Sequence, residues 1–174
     1  MAASPAAAQV EIQWWHAMTG ANNEVVVKLA QEFNASQSEF RVVPTYKGSY
    51  PDTMNAGIAA FRAGNAPHIL QVFEVGTATM MAARGAIKPV YQMMAEANEP
   101  FDPKAYLPAV AGYYSTSRGE MLSFPFNSSS SVMWYNKDAF RRAGLNPDQP
   151  PKTWPEVFEA AKKLRAAGFD KCGF

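Results

Sequence analysis

The segment from Pro44 to Val90, PTYKGSYPDTMNAGIAAFRAGNAPHILQVFEVGTATMMAARGAIKPV, constrains the fold more than any other part of the chain. Phe40–Tyr46, with β-branched Val42 and Val43, reads as a strand, and Lys47-Gly48-Ser49 turns the chain. Ser49 and Pro51 then open a helix, because serine caps a helix start and proline suits its first turn. Met54, Ile58 and Phe61 recur at helical spacing as its buried stripe, and Gly64 closes it. Pro67 precedes a strand over His68–Glu74. Thr77 is expected to cap a short helix running to Arg84 and closed by Gly85. Upstream, Val10–Trp15 reads as a strand and His16–Ala21 as a loop. Asn22 caps a helix to about Asn34, with Val26, Leu29, Ala30 and Phe33 on one face. This alternation predicts an α/β fold with a mostly parallel sheet, flanked by helices and joined by right-handed crossovers. In such sheets ligands bind where strands stop and helices start.

Beyond Ile87 the pattern is broken by Pro89, Pro100, Pro103 and Pro108 into short helices. Glu120–Phe124 is a strand candidate, and Pro125–Ser131 is a short polar stretch dividing two differently worded regions. Val132–Tyr135 is a further strand candidate. Asn136 caps a helix ending at Gly144, and Thr153 with Glu156 forms a capping box for a helix of about four turns closed by Gly168. The chain stops at Lys171-Cys172-Gly173-Phe174, which reads as the beginning of a strand.

Composition removes several classes of function. Apolar residues make up 48% and charged residues 18%, the balance of an ordinary globular domain. The net charge of +1 gives no electrostatic case for nucleic acid or an anionic membrane. One cysteine, Cys172, excludes a zinc site or redox pair within the chain; it is either a small core residue or half of a disulfide in a longer form. No metal and no cofactor are expected. Residues 1–9, MAASPAAAQ, read as the tail of a secretory signal around an A-x-A-like cleavage site, with a flexible tail as the alternative.

Several polar and aromatic residues lie at element ends. Tyr50 opens a helix after Gly48, either as a ligand contact through its hydroxyl or as a half-buried aromatic with its hydroxyl in water. Glu74 is expected at the carboxyl end of an apolar strand. There it either accepts from ligand hydroxyls or serves as a carboxylate favoured by the dipole of the following helix. Ser128 and Ser129 lie in the run Asn127–Ser131, a hinge or a source of cleft hydroxyls; no G-x-S-x-G surrounds them, so a nucleophile elbow is unsupported. Trp15 and His16 follow the first strand on the same edge. Trp14 and Trp15 alternate faces, so one of them belongs to the core. His68 sits at a strand start, on the opposite edge, and reads as structural.

Six motifs in order carry a resemblance. They are Pro44–Gly48, Ala56–Arg62, Glu74–Met81, Ile87–Tyr91, Phe126–Ser129 and Tyr135–Phe140; Pro150–Trp154 is shared more widely among carbohydrate-type solute-binding proteins. The chain resembles the periplasmic glycerol-3-phosphate-binding proteins of Ugp-type ABC importers. That resemblance implies a non-enzymatic, bilobed receptor of the maltose-binding type, located in the periplasm and partnered by ABC permease subunits. Its ligand would be glycerol-3-phosphate or a glycerophosphodiester. Residues 10–124 would be most of lobe one, 125–131 the first inter-lobe crossing and 132–174 the start of lobe two. Tyr50, Glu74 and Ser129 would contact ligand, with Trp15, His16 and Ser128 as weaker candidates. A phosphate-binding arginine would lie beyond Phe174; Arg62 and Arg84, on helix ends, are not assigned that role. The alternatives are an oligosaccharide receptor of the same superfamily and a small α/β phosphate-ester hydrolase using Glu74 or a serine. An incomplete second lobe would leave apolar surface around Val132–Tyr135 and Phe169–Phe174, so either self-association, including exchange of the 132–174 segment, or a repacked lobe one with that segment folded over it is also expected.

Overall fold

The computed structural model describes residues 9–83 and 85–169. Two compact units divide the chain between Phe126 and Asn127. Arg84, Cys172 and the tail around residues 1–8 lie outside the described residues, as does the part of the expected uncovered edge beyond Phe169.

The first unit is built on a parallel three-stranded sheet in the order β2-β1-β3. Strand β1 (Val10–His16) pairs along its whole length with β2 (Phe40–Tyr46), Val10 opposite Phe40 and His16 opposite Tyr46. It pairs on its other side with β3 (Ile69–Leu70), Trp14 opposite Ile69 and Trp15 opposite Leu70. Pro44 sits within β2, which is an edge strand of this sheet, where a missing N–H is tolerated. Helix α1 (Gly20–Ser36) connects β1 to β2, and helix α2 (Tyr50–Arg62) connects β2 to β3 across β1. This is the expected α/β crossover pattern, with β1 one residue longer than the sequence suggests.

Helix α1 starts earlier than its polar residues suggest. Thr19 is its N-cap, with no side-chain cap bond, and Asn22 lies inside the first turn. Val26 and Ala30 are buried, but Leu29 and Phe33 are about half exposed, so the covered face is narrower than the expected stripe. Helix α2 starts as expected. The Ser49 hydroxyl accepts from the Asp52 N–H at 3.3 Å, and the Asp52 carboxylate accepts from the Ser49 N–H at 3.0 Å. Gly48, at φ +98°, turns the chain into this box, and a side chain there would meet the Asp52 carboxylate at 2.9 Å. The face that α2 buries is centred on Thr53 and Gly57; Met54 and Ile58 are half-buried and Phe61 is exposed.

Gly57 is where α2 meets the sheet. A Cβ there would lie 2.5 Å from Leu70 Cδ2 on β3 and 3.1 Å from Cδ1. Alanine in a helix interior normally gains about 1 kcal/mol over glycine, whereas overpacking costs about 1–3 kcal/mol. Gly57→Ala is therefore expected to lower stability by about 1 kcal/mol in urea unfolding. In a Leu70→Ala background, where the obstructing methyls are gone, the same change should become stabilising. An unchanged sign in the two backgrounds would show that Leu70 does not dictate the glycine.

Three expected strands are corrected. β3 stops at Leu70, and the chain enters helix α3 (Glu74–Ala82) by way of Gln71–Phe73. The Gln71 N–H still donates to the Trp15 carbonyl at 2.9 Å, but its side chain turns inward to accept from the Ala17 N–H at 2.9 Å. Thr77 is an interior residue of α3, its hydroxyl donating to the Phe73 carbonyl at 3.0 Å; the N-cap is Phe73. Glu120–Phe124 forms only an isolated antiparallel bridge, Met121 to Ser115, because the Met121 and Leu122 carbonyls accept from Tyr91 and Val90 at the start of helix α4 (Val90–Ala97). Val132–Tyr135 has no strand partner among the described residues and is irregular. The proline-rich stretch is otherwise as expected, with α4, a 3₁₀ turn (Pro103–Ala105) and the short helix α5 (Pro108–Tyr113).

The second unit contains helices α6 (Lys137–Arg142) and α7 (Trp154–Ala166). Asn136 caps α6, its side-chain oxygen accepting from the Asp138 and Ala139 N–H groups, and Thr153 with Glu156 forms the capping box of α7. Phe140, Ala160 and Leu164 make a small core, with Tyr135 and Leu145 packed against it.

Candidate functional site

The carboxyl ends of β1, β2 and β3 lead into three connections that are tied to one another. The His16 carbonyl accepts from the Lys47 N–H at 3.0 Å and from the Thr53 hydroxyl at 3.5 Å. The Gln71 side chain holds the Ala17 peptide on the same edge. Thr53 is fully buried, so α2 docks its first turn directly onto the end of β1.

Tyr50 and Glu74 are the first residues of α2 and α3. Their helix starts are in contact. The Tyr50 ring stacks on the Phe73 ring, centroids 5.6 Å apart and planes at 18°. Within the same first turn of α3, Gly76 lies against Met54: a Cβ at Gly76 would collide with the Met54 sulfur. The structure thus brings these two candidates to neighbouring helix starts, on the edge where a parallel sheet binds ligands. Glu74 stands at a helix start and not at a strand end. It is exposed, and its carboxylate makes no hydrogen bond among the described residues. The Tyr113 hydroxyl at the end of α5 donates to the Glu74 backbone carbonyl.

This geometry sorts the chemistry. The N-terminus of α2 is already filled by the Asp52 carboxylate, which hydrogen bonds to the Ser49 hydroxyl and N–H hold below the usual carboxylate range. An anion approaching this helix start meets a carboxylate, so the Tyr50 hydroxyl is the donor best suited to it. A free carboxylate such as Glu74 is an acceptor and suits hydroxyl donors; it repels a phosphate brought close, by about 4 kcal/mol at 4 Å near a protein surface.

Trp15 and His16 lie within β1 and at its end, not beyond it, and they part company. Trp15 is half-buried, with the Lys47 ammonium 3.9 Å from its ring centroid. It lines a cleft of about 360 Å³ with Gln13, Thr45, Lys47 and the Asn65–His68 loop. His68 Nδ1 accepts from the Gln13 N–H at 3.0 Å, a bond between strand and loop. Trp14, on the other face, packs edge-on against Phe126 at 5.4 Å.

His16 is 1% exposed, its Nδ1 accepting from the Met18 N–H at 3.3 Å. Burial pushes its pKa below the ordinary value of 6.5. The imidazole is thus a neutral packing group. Because the folded pKa is depressed, its contribution to stability is complete above pH 6.5 and is lost as pH falls through the folded value. The loss of stability between pH 7 and pH 5, read by chemical unfolding, should be smaller in His16→Gln than in the parent chain. Equal losses would mean that His16 is as free to protonate folded as unfolded.

Ser128 and Ser129 are exposed residues of the second unit. The residues that sequence reasoning missed are Thr53, Gln71, Gly76 and Tyr113. A glycine two residues after Glu74, where a helix start packs closely, was the visible signal.

The bacterial extracellular solute-binding protein family matches residues 20–171, and the chain belongs to that family. Among individual relatives, the sn-glycerol-3-phosphate-binding periplasmic protein UgpB of Brucella abortus (strain 2308) is 59% identical over 171 residues, covering 98% of this chain and 40% of the relative. The protein of the same name from Escherichia coli (strain K12) is 56% identical over 170 residues, covering 97% and 38%. The chain thus spans about two fifths of the length of the curated relatives it matches. Among solved structures, a binding protein with mannotriose bound, CpMnBP1, is 26% identical with a TM-score of 0.68, covering 90% of this chain and 38% of that one. The cyclic alpha-maltosyl-1,6-maltose binding protein of Arthrobacter globiformis matches at 23% identity and a TM-score of 0.70, covering 92% and 39%. The fold is that of the maltose-binding type of solute-binding protein.

Proposed function

We propose that this chain supplies the first part of a periplasmic receptor that captures glycerol-3-phosphate, or a glycerophosphodiester, for an ABC importer. The observation that carries the reading is 59% identity, across 98% of the chain, to a protein named for glycerol-3-phosphate binding. The paired helix starts of Tyr50 and Glu74 support it. Glu74 takes the glycerol hydroxyls, Tyr50 donates to an oxygen of the ligand, and Ser129, with Ser128 beside it, is a further hydroxyl for the ligand. The role is binding without catalysis, and the partners are the small ligand and the permease subunits. The division between Phe126 and Asn127 supports reading residues 10–124 as most of lobe one, 125–131 as the crossing and 132–174 as the start of lobe two.

An oligosaccharide receptor is the second reading, favoured by the mannotriose bound to the structural relative and by the half-buried Trp15. Identity of 26% against 59% weighs for the phosphate ester. The test uses a chimera in which this chain replaces the matching 171 residues of the Brucella abortus relative. Thermal melts with glycerol-3-phosphate, glycerol and mannotriose should show a rise in midpoint with the first alone. A rise only with mannotriose would replace this reading by the second.

A further inference from the structure

We infer that Tyr113 is a positioning residue for Glu74, setting the direction in which its carboxylate meets a ligand. The inference rests on the proposed contact between Glu74 and the glycerol hydroxyls. Glu74 is exposed, and no side-chain bond among the described residues fixes its carboxylate, so its aim depends on the backbone that carries it. That backbone is the first residue of α3, a helix whose N-cap, Phe73, provides no side-chain cap bond. The helix start is held instead by one bond from within α3 and by two contacts from outside it. The Thr77 hydroxyl donates to the Phe73 carbonyl at 3.0 Å, the Phe73 ring stacks on Tyr50, and the Tyr113 hydroxyl donates to the carbonyl of Glu74 itself.

A carbonyl has two lone pairs, so the Tyr113 bond adds to the helical bond at Glu74 without displacing it. It ties the last residue of α5 to the first residue of α3, across 39 positions of sequence. The Tyr113 ring lies edge-on against Tyr114, centroids 5.2 Å apart at 80°. The ring is about half exposed, so its core contribution is small and the hydroxyl is the feature the site uses.

The test is a double-mutant cycle in the chimera, read by isothermal titration with glycerol-3-phosphate. Tyr113→Phe removes only the hydroxyl, and a typical hydrogen bond corresponds to a loss of roughly threefold to tenfold in affinity. That loss should appear in the parent background and shrink below about twofold in the Glu74→Gln background, since non-additivity marks coupled residues. The melting midpoint should stay within about 2 °C of the parent, as for a surface substitution away from the core. No loss, or the same loss in both backgrounds, overturns the positioning role while leaving Glu74 as a contact. A Glu74→Gln variant that binds as the parent does removes Glu74 from the site, and the role of Tyr113 falls with it.

Discussion

Glu74→Gln in the chimera is expected to weaken glycerol-3-phosphate binding at least tenfold. A hydrogen bond to a charged group contributes about 1.5–3 kcal/mol, and the amide keeps one acceptor oxygen while losing the charge. Every 1.4 kcal/mol is about tenfold in affinity, which places the loss between about tenfold and about 150-fold. The carboxylate also sits at the positive end of α3, so the folded protein should lose a few tenths of a kcal/mol to about 1 kcal/mol of stability. The two effects are separable. Weaker binding, with or without this small drop in the melt, assigns Glu74 to the ligand; a lower melt with an unchanged dissociation constant assigns it to the helix dipole alone.

The isolated 174-residue chain is expected to self-associate. Its second unit exposes Val132, Trp134, Trp154 and Phe158, at 71%, 86%, 84% and 63% of their full areas. On the first unit, Val25, Leu29 and Phe33 of α1 recur every four residues and are each about half exposed. Exposed apolar side chains in this number recruit partners, and large aromatic side chains dominate the energy when they are covered. Size-exclusion chromatography with light scattering should give a mass rising from monomer towards dimer as concentration increases. A monodisperse monomer at every concentration would contradict this.

The sequence was most readable where local chemistry decides the structure. The boxes Ser49/Asp52 and Thr153/Glu156 and the Asn136 cap mark helix starts by side chains that reach their own backbone, and α2, α6 and α7 begin where those residues stand. α3 begins at a residue with no such side chain, so Thr77 attracted the role that Phe73 fills. The same misreading stretched β3 through Gln71-Val72-Phe73, an apolar run whose one polar member turns inward to the Ala17 peptide. Short apolar runs become strands only if a partner strand reaches them, and the pattern over Val132–Tyr135 contains no information about partners. The site followed the same division. Tyr50 was placed by its cap, and Glu74 was placed on the right edge although in the wrong element. Thr53, Gln71 and Tyr113 act across 37, 54 and 39 positions of sequence, and no spacing rule links them to the strands and helices they hold.

We propose that this chain carries the glycerol-recognising part of a phosphate-ester receptor, and ligand competition is the decisive test. Isothermal titration of the chimera with glycerol-3-phosphate should give saturable binding at micromolar concentration or tighter, unaffected by an excess of maltose or mannotriose. Saturable binding of either sugar, with none of glycerol-3-phosphate, would contradict it.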